Sequence, residues 1–452
     1  MEMRSAVRGL ALEDVASVLI LVFFGMAGAI PGIAPNQASE MTGTPASGLM
    51  FAAGIGSQLL VNALILMLAL RHGPLLARHL GRVQWAGALA VFALLSAGWS
   101  QDPVLSARRA VPFALAGLFG MYLAVRHPLR RQLALFEGAF LILAAGSAVL
   151  ALALPSLGLD ASTGHGGNWQ GVFTQKNACG RAMVFATAVV LAQGRLNLRR
   201  AGSLAVFVVV LVMSGSRGAW VIEAVLLTML GVYAVLRRFA CRSRRLLAIA
   251  AIGGALAAAV AARIYFPVLA GLLGRDPSLT GRTAIWAQVW VAILRRPLLG
   301  YGFSAFWRGA KGASFDVVVA LRFVLFHAHN GFLEILLELG AAGLLLFVLS
   351  YLRAGWRLWP QLFASGREFA ACAWPLGLLM LVAAYDFDEN TLLSFNGLFW
   401  VLYVHALVTV EVGAESGRVA EQAQGLGPGW SHGWGAPDPL LAEANGRSVP
   451  WL

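Results

Sequence analysis

Of the chain's 452 residues, 59% are hydrophobic and only 12% charged, and the mean hydropathy is +0.74. That excludes a water-soluble domain and a disordered chain, and leaves an all-α polytopic membrane protein. The net charge of +13 would suit a nucleic-acid partner, but the basic residues fall mostly in every second connection between apolar runs, where the positive-inside rule places cytoplasmic loops.

A membrane span needs about 20 apolar residues. The sequence offers about 12 transmembrane helices, at 12–30, 49–70, 84–98, 109–125, 133–154, 178–193, 201–213, 219–236, 246–262, 330–352, 369–385 and 395–412. The runs at 84–98 and 201–213 are short and must borrow flanking residues or sit among other helices. Glu13 and Asp14 precede the first apolar run, which argues against a secretory signal peptide. Arg71, Arg78 and Arg82, then Arg126, Arg130 and Arg131, then Arg195, Arg199 and Arg200, the cluster of Arg237 to Arg245, and Arg353, Arg357 and Arg367 mark the cytoplasmic side and put both termini there. Residues 263–329 become one large periplasmic loop containing amphipathic helices. Residues 1–412 form a single membrane domain, and the Pro/Gly-rich stretch within 413–452 points to a disordered cytoplasmic tail. Cys179, Cys241 and Cys372 stand singly and suggest neither disulfides nor a metal knuckle.

In chain order, Asp102 and Pro103 stop one helix and Ser106 can cap the next. Lys176-Asn177 stands at a helix mouth, where an ammonium adds to the positive dipole; it is either an anion ligand or a lysine snorkelling to the interface. Ser216-Arg217-Gly218 joins two spans with almost no loop, so Arg217 is either an anion ligand at the outer surface or an interfacial anchor, with Glu223 as a possible partner. From Thr280 to Arg296 the apolar spacing predicts an amphipathic helix lying on the membrane, with Arg282 in its first turn and Thr280 as its N-cap. Arg275, Arg308, Lys311 and Arg322 make the same loop cationic, as a lipid-linked phosphate would require.

His327 and His329 stand at the mouth of the next span. They could be two ligands of a metal, but no third is evident; a histidine there could also serve as a general base near neutral pH, or merely cap the helix beside Asn330.

These residues resemble the superfamily of O-antigen ligases and polymerases, bacterial membrane glycosyltransferases. His329, Asn330, Gly340 and Gly343 meet the ligase pattern, and Lys176-Asn177, the Ser-Arg-Gly hairpin at Arg217 and the Gly-Arg element at Arg282 are similar to family positions. The resemblance implies a metal-independent, inverting transfer with no cofactor, on the periplasmic face of the inner membrane. The donor would be an undecaprenyl-pyrophosphate-linked glycan. The acceptor would be a sugar hydroxyl of lipid A-core for a ligase, or another lipid-linked repeat for an exopolysaccharide or O-antigen polymerase. His329 would take the acceptor proton; Arg217, Arg282 and Lys176 would hold the pyrophosphate; Asn177, Asn330, Gly340 and Gly343 would support them. Asp386-Phe387-Asp388 is taken as a loop cap. A transporter or flippase would keep its charges near the midplane and show repeated halves, whereas these candidates gather at the outer mouth.

Overall fold

The computed structural model describes residues 2–26, 48–161, 167–239, 243–248, 282–309, 311–364, 366–394 and 396–425. The main helices among them are α1 (Glu2–Met26), α2 (Gly48–Arg71), α3 (Gln84–Leu95), α4 (Pro103–Arg126), α5 (Leu129–Ala153), α6 (Lys176–Ala192), α7 (Leu198–Met213), α8 (Arg217–Leu236), α9 (Arg282–Arg295), α10 (Ser314–Leu321), α11 (Gly331–Phe363), α12 (Phe369–Asp388) and α13 (Leu398–Gly425). No strand forms among the described residues; the one ladder contact is an isolated bridge between Leu159 and Trp169. The chain is therefore all-helical where it is described.

Among the described residues eight helices are long and apolar enough to cross a membrane. Of the other four expected spans, the one at 12–30 falls on α1 and runs beyond the described residues at Met26, and two are the 17-residue α6 and the 16-residue α7. In α6 the run Ala182 to Val190 is at most 1% exposed, so protein rather than lipid surrounds that face and the helix need not match the bilayer thickness. The span at 246–262 and the loop from 263 to 281 lie outside the described residues but for a short helical piece ending at 248. The last helix continues past 412 to Gly425, and residues 426–452 also lie outside them.

Aromatic side chains fill the core. Phe113, Phe119, Phe136, Phe140, Phe185, Trp374, Trp400 and Tyr403 are each at most 1% exposed. Phe113 and Trp400 stack at 4.4 Å between α4 and α13, and the Trp400 indole also donates to the Phe113 carbonyl at 3.0 Å. A buried indole N–H needs such a partner.

The two ends of the bundle differ in chemistry. At one end the arginines of the expected cytoplasmic loops meet acids of the first and last helices. Arg71 and Arg126 converge on buried Glu13 at 3.2 Å each, Arg131 pairs with Asp14, Arg82 with Glu415, and Arg353 with Glu411 at 2.6 Å. At the other end begin α4, α6, α8, α11 and α13, and α12 finishes there. Asp102 caps α4, accepting from the Leu105 amide at 3.0 Å. Ser106, expected as a cap, instead donates to the Phe303 carbonyl at 2.9 Å, because the segment after α9 folds down onto α4.

That segment makes a second, smaller core. Ile285, Val289, Ala292 and Ile293 of α9 pack with Tyr301, Phe306, Trp307, Val317, Leu325, Ala328 and Leu337. The helix expected to lie bare on a membrane thus turns its apolar stripe inward, while Trp290, Val291 and Leu294 stay exposed. The cationic loop is also more neutral than its sequence suggests. Arg308 pairs with Asp102, Arg295 with Asp316 at 2.5 Å, and Arg282 with Asp388. Two of these three acids, Asp102 and Asp388, come from outside the loop. Arg275 lies outside the described residues.

Candidate functional site

The C-terminal end of α12 organises the site. Asp386 accepts from the amides of Thr391 and Leu392 at 3.1 and 3.3 Å, which makes it the loop cap expected from sequence. Asp388 and Glu389, turned the other way, collect charge. Arg282 bonds Asp388 and approaches Glu389 at 3.5 Å, and the Nδ1 of His329 lies 3.2 Å from Glu389 Oε2. Asn330 joins the group from below: its Oδ1 caps α11 through the Leu333 amide at 3.0 Å, and its Nδ2 donates to the Phe387 carbonyl at 3.1 Å.

The histidine loop is held in an uncommon backbone state. His329 has φ of 50°, a left-handed conformation that costs a non-glycine residue energy and persists only where its surroundings enforce it. They do so at the preceding peptide. The Ala328 amide donates to Glu334 Oε2 at 2.7 Å, and the Ala328 carbonyl accepts from the Trp286 indole at 3.1 Å. Glu334 is fixed in turn by the Trp307 indole at 2.7 Å. The His329 amide donates to Nδ1 of His327 at 3.2 Å, so that nitrogen of His327 is an acceptor. A carboxylate only accepts, so His329 presents Nδ1–H to Glu389 and leaves Nε2 with its lone pair free. The imidazole is 27% exposed.

Burial and charge act on this group in opposite directions. Burial pushes the Glu389 carboxyl up, but the hydrogen bond from His329 and the charges of His327, His329 and Arg181 outweigh it and hold Glu389 at about 2. Burial pushes His327 down to about 4; Glu389 opposes this, while His329, Arg181 and Arg282 add to it. Both groups titrate below their ordinary values, so each contributes stability that is full above the unfolded pKa and is lost on acidification. For His327 the window runs from about pH 6.5 to 4, and for Glu389 from about 4.5 to 2. The melting temperature of detergent-solubilised protein is therefore expected to fall between pH 7 and pH 4.5. His327→Asn, whose Oδ1 can replace Nδ1 as acceptor for the His329 amide, is expected to flatten that fall. An unchanged pH slope in the variant refutes the assignment.

The helix starts that carry the expected anion ligands Lys176 and Arg217 lie beside this group. Asn177 accepts from the Ser216 hydroxyl at 3.1 Å, which sets the first turns of α6 and α8 side by side. Gly180 lets Ser216 approach: a Cβ there would lie 2.8 Å from the serine Cβ. A Cβ on Gly218 would lie 3.3 Å from Asp388 Oδ2, so the α8 terminus abuts the carboxylate that holds Arg282. The positive ends of two helices thus face the site. The Arg217 side chain is exposed and that of Lys176 half-buried. Among the described residues no ion pair joins Arg217 to Glu223, which is buried with Oε2 lacking a hydrogen-bond partner. Gly340 and Gly343 are not at this cluster; they shape α11.

Two charged residues, Arg181 and Glu389, escaped the sequence reading, and Asp388 was read there only as part of a loop cap. Arg181, one turn after Asn177, reaches the Thr391 hydroxyl at 3.2 Å and lies over the Phe399 ring at 5.0 Å; a charge inside an apolar run was the signal that could have found it. Asp388 and Glu389 form the hub. Glu389 also supplies the missing third ligand beside the two histidines, with donor atoms of His327, His329 and Glu389 within 4.8 Å of one another. Those atoms are already bonded within the protein, and Arg282 contacts the carboxylate, which works against a divalent cation.

Residues 201–348 match the family model described as O-antigen ligase. The match takes in Arg217, Arg282, His327, His329, Gly340 and Gly343, and stops before Asp388 and Glu389. The chain is also similar to the exopolysaccharide production protein ExoQ of Rhizobium meliloti (strain 1021), at 28% identity over 319 residues, 67% of this chain and 71% of that one.

Proposed function

Because the chain belongs to the O-antigen ligase superfamily, we propose that it is a membrane glycosyltransferase that moves a glycan from undecaprenyl pyrophosphate to a sugar hydroxyl on the periplasmic face. The observation that carries this reading is the His329 imidazole, held by Glu389 with Nε2 free, beside a guanidinium and two helix N-termini. His329 Nε2 takes the proton of the acceptor hydroxyl as its oxygen attacks the anomeric carbon from the face opposite the pyrophosphate, which gives inversion. Glu389 keeps the imidazole in the required tautomer and stabilises the imidazolium.

The bond to pyrophosphate breaks as negative charge grows on the leaving oxygen. A guanidinium has five N–H donors, so Arg282 can serve Asp388 and Glu389 and still offer others to a phosphate. Arg217 and Lys176, at the positive starts of α8 and α6, add charge on the same side. Fixed cations of this kind supply the stabilisation a metal ion would otherwise give, so the transfer needs no metal or other cofactor.

Acceptor identity divides two readings. The ligase reading, with lipid A-core as acceptor, rests on the O-antigen ligase match and the motif from His329 to Gly343. The polymerase reading is favoured by similarity to a protein named for exopolysaccharide production. A deletion strain distinguishes them. Loss of a ligase is expected to strand long glycan chains on undecaprenyl pyrophosphate with the core unsubstituted. Loss of a polymerase leaves single repeats and no long chains. Normal glycan on both carriers refutes the transferase role.

A further inference from the structure

Beside the histidines a cavity of about 210 Å³ opens among α6, α11 and the connection from α12 to α13. That is many times the roughly 10–15 Å³ that admits one water. Its walls contain an unusual concentration of polar atoms with no hydrogen-bond partner among the described residues: Arg181 Nε, Glu338 Oε2, Asn390 Oδ1, and both Oδ1 and Nδ2 of Asn396. Glu338 and Asn396 are each 3% exposed. Folded proteins leave few such atoms, because each loses its water without compensation. Several on one cavity mark a surface shaped for something other than the fold's own stability.

The chemistry of the orphaned atoms selects the ligand class. An anion is opposed by the Glu389 carboxylate on the same walls, and an apolar ligand would leave every orphan unpaired. Arg181 Nε and Asn396 Nδ2 donate, Asn390 Oδ1 and Asn396 Oδ1 accept, and the buried Glu338 carboxyl, paired with Glu334, can do either. A hydroxyl can satisfy either kind because it both donates and accepts. Phe173 and Phe399 supply apolar wall between these groups, suited to the C–H face of a pyranose ring.

We propose that this cavity is a saccharide-binding subsite, which seats one sugar unit through Arg181, Glu338, Asn390 and Asn396. The inference deepens the glycosyl-transfer reading and rests on it for the source of the sugar: His327 forms part of the cavity wall, and its neighbour His329 is the base. The sugar next to the reacting hydroxyl or anomeric carbon is thereby oriented by side-chain atoms that have no hydrogen bond among the described residues.

The test uses the full chain in nanodiscs and saturation-transfer NMR with D-glucose, D-galactose and N-acetylglucosamine at millimolar concentration. At least one sugar is expected to show saturation transfer. Asn396→Ala is expected to weaken binding about tenfold, the scale of one lost hydrogen bond, while the sugar-free melting temperature stays the same or rises, because the amide has no hydrogen-bond partner among the described residues. Glu338→Gln provides a second variant that keeps the side-chain shape. No sugar signal from the native protein overturns the proposal, as does a signal unaffected by either substitution. A lowered melting temperature for Asn396→Ala also overturns it, since it makes the amide structural. His329→Ala keeps the transfer reading separate: full turnover with an intact sugar signal refutes the base and leaves the subsite standing, whereas base-dependent turnover with no sugar signal refutes the subsite alone.

Discussion

Purified His329→Ala protein is expected to fold as the native chain does and to transfer glycan about 10²–10⁴-fold more slowly, the contribution a general base usually makes. The side chain is partly exposed, and among the described residues its one side-chain hydrogen bond is to Glu389, so removing the imidazole leaves no large cavity. Glu389→Gln is expected to act in the same direction with a smaller loss. It removes the charge that stabilises the imidazolium, while the amide oxygen still accepts from Nδ1. Arg282→Lys separates geometry from charge. The guanidinium reaches Asp388 and Glu389 with two nitrogens at once, and an ammonium has no such fork, so most transfer is lost although the charge remains. Initial rates in proteoliposomes carrying lipid-linked donor measure all three. Native turnover by folded His329→Ala protein removes the general base from the mechanism.

Gly340→Ala is expected to destabilise the fold by more than about 3 kcal/mol, visible as loss of the monodisperse peak on detergent size-exclusion chromatography. Gly340 has φ of 63° and ψ of −166°, a region essentially restricted to glycine, where other residues cost about 1–3 kcal/mol. A Cβ would in addition collide with the backbone of Leu298. The collision follows from how α11 is broken. At 1.5 Å per residue its 33 residues would make a rod about 50 Å long, well beyond the roughly 30 Å of a hydrocarbon core. At the kink, residues 297–302 cross the helix and take over its backbone bonds. The amides of Ala341 and Ala342 donate to the carbonyls of Pro297 and Leu298 at 2.8 and 3.1 Å, and those of Tyr301 and Gly302 donate to Leu337 and Glu338 at 2.8 and 2.9 Å. The half-helix before Gly340 is thereby tilted to carry Glu334, Glu338 and the His329 loop. Gly231→Ala in α8, where a Cβ meets nothing within 4 Å, is the control and is expected to be neutral or slightly stabilising.

The sequence by itself determined the membrane class, the helical architecture and the positions of most spans, because lipid demands long apolar runs and those are written locally. It also determined four elements that meet at the site: the helix starts at Lys176 and Arg217, the Gly-Arg element at Arg282, and His329 with its Asn330 cap. Each stands out as polar chemistry at the edge of an apolar run, a pattern visible without knowing what lies opposite. Only the tertiary structure decided what each of them meets. Arg282 and Asp388 are 106 positions apart, and His329 and Glu389 are 60 apart, so the pairing of imidazole and carboxylate depends on α12 ending against the start of α11. The excess charge of the loop misled for the same reason: Asp102 and Asp388, which neutralise two of its arginines, are supplied by other parts of the chain. Gly340 shows the limit most plainly. A run of apolar residues with scattered glycines reads as one continuous helix, and only the backbone bonds from residues 297–302, arriving from an earlier segment, require it to break at Gly340.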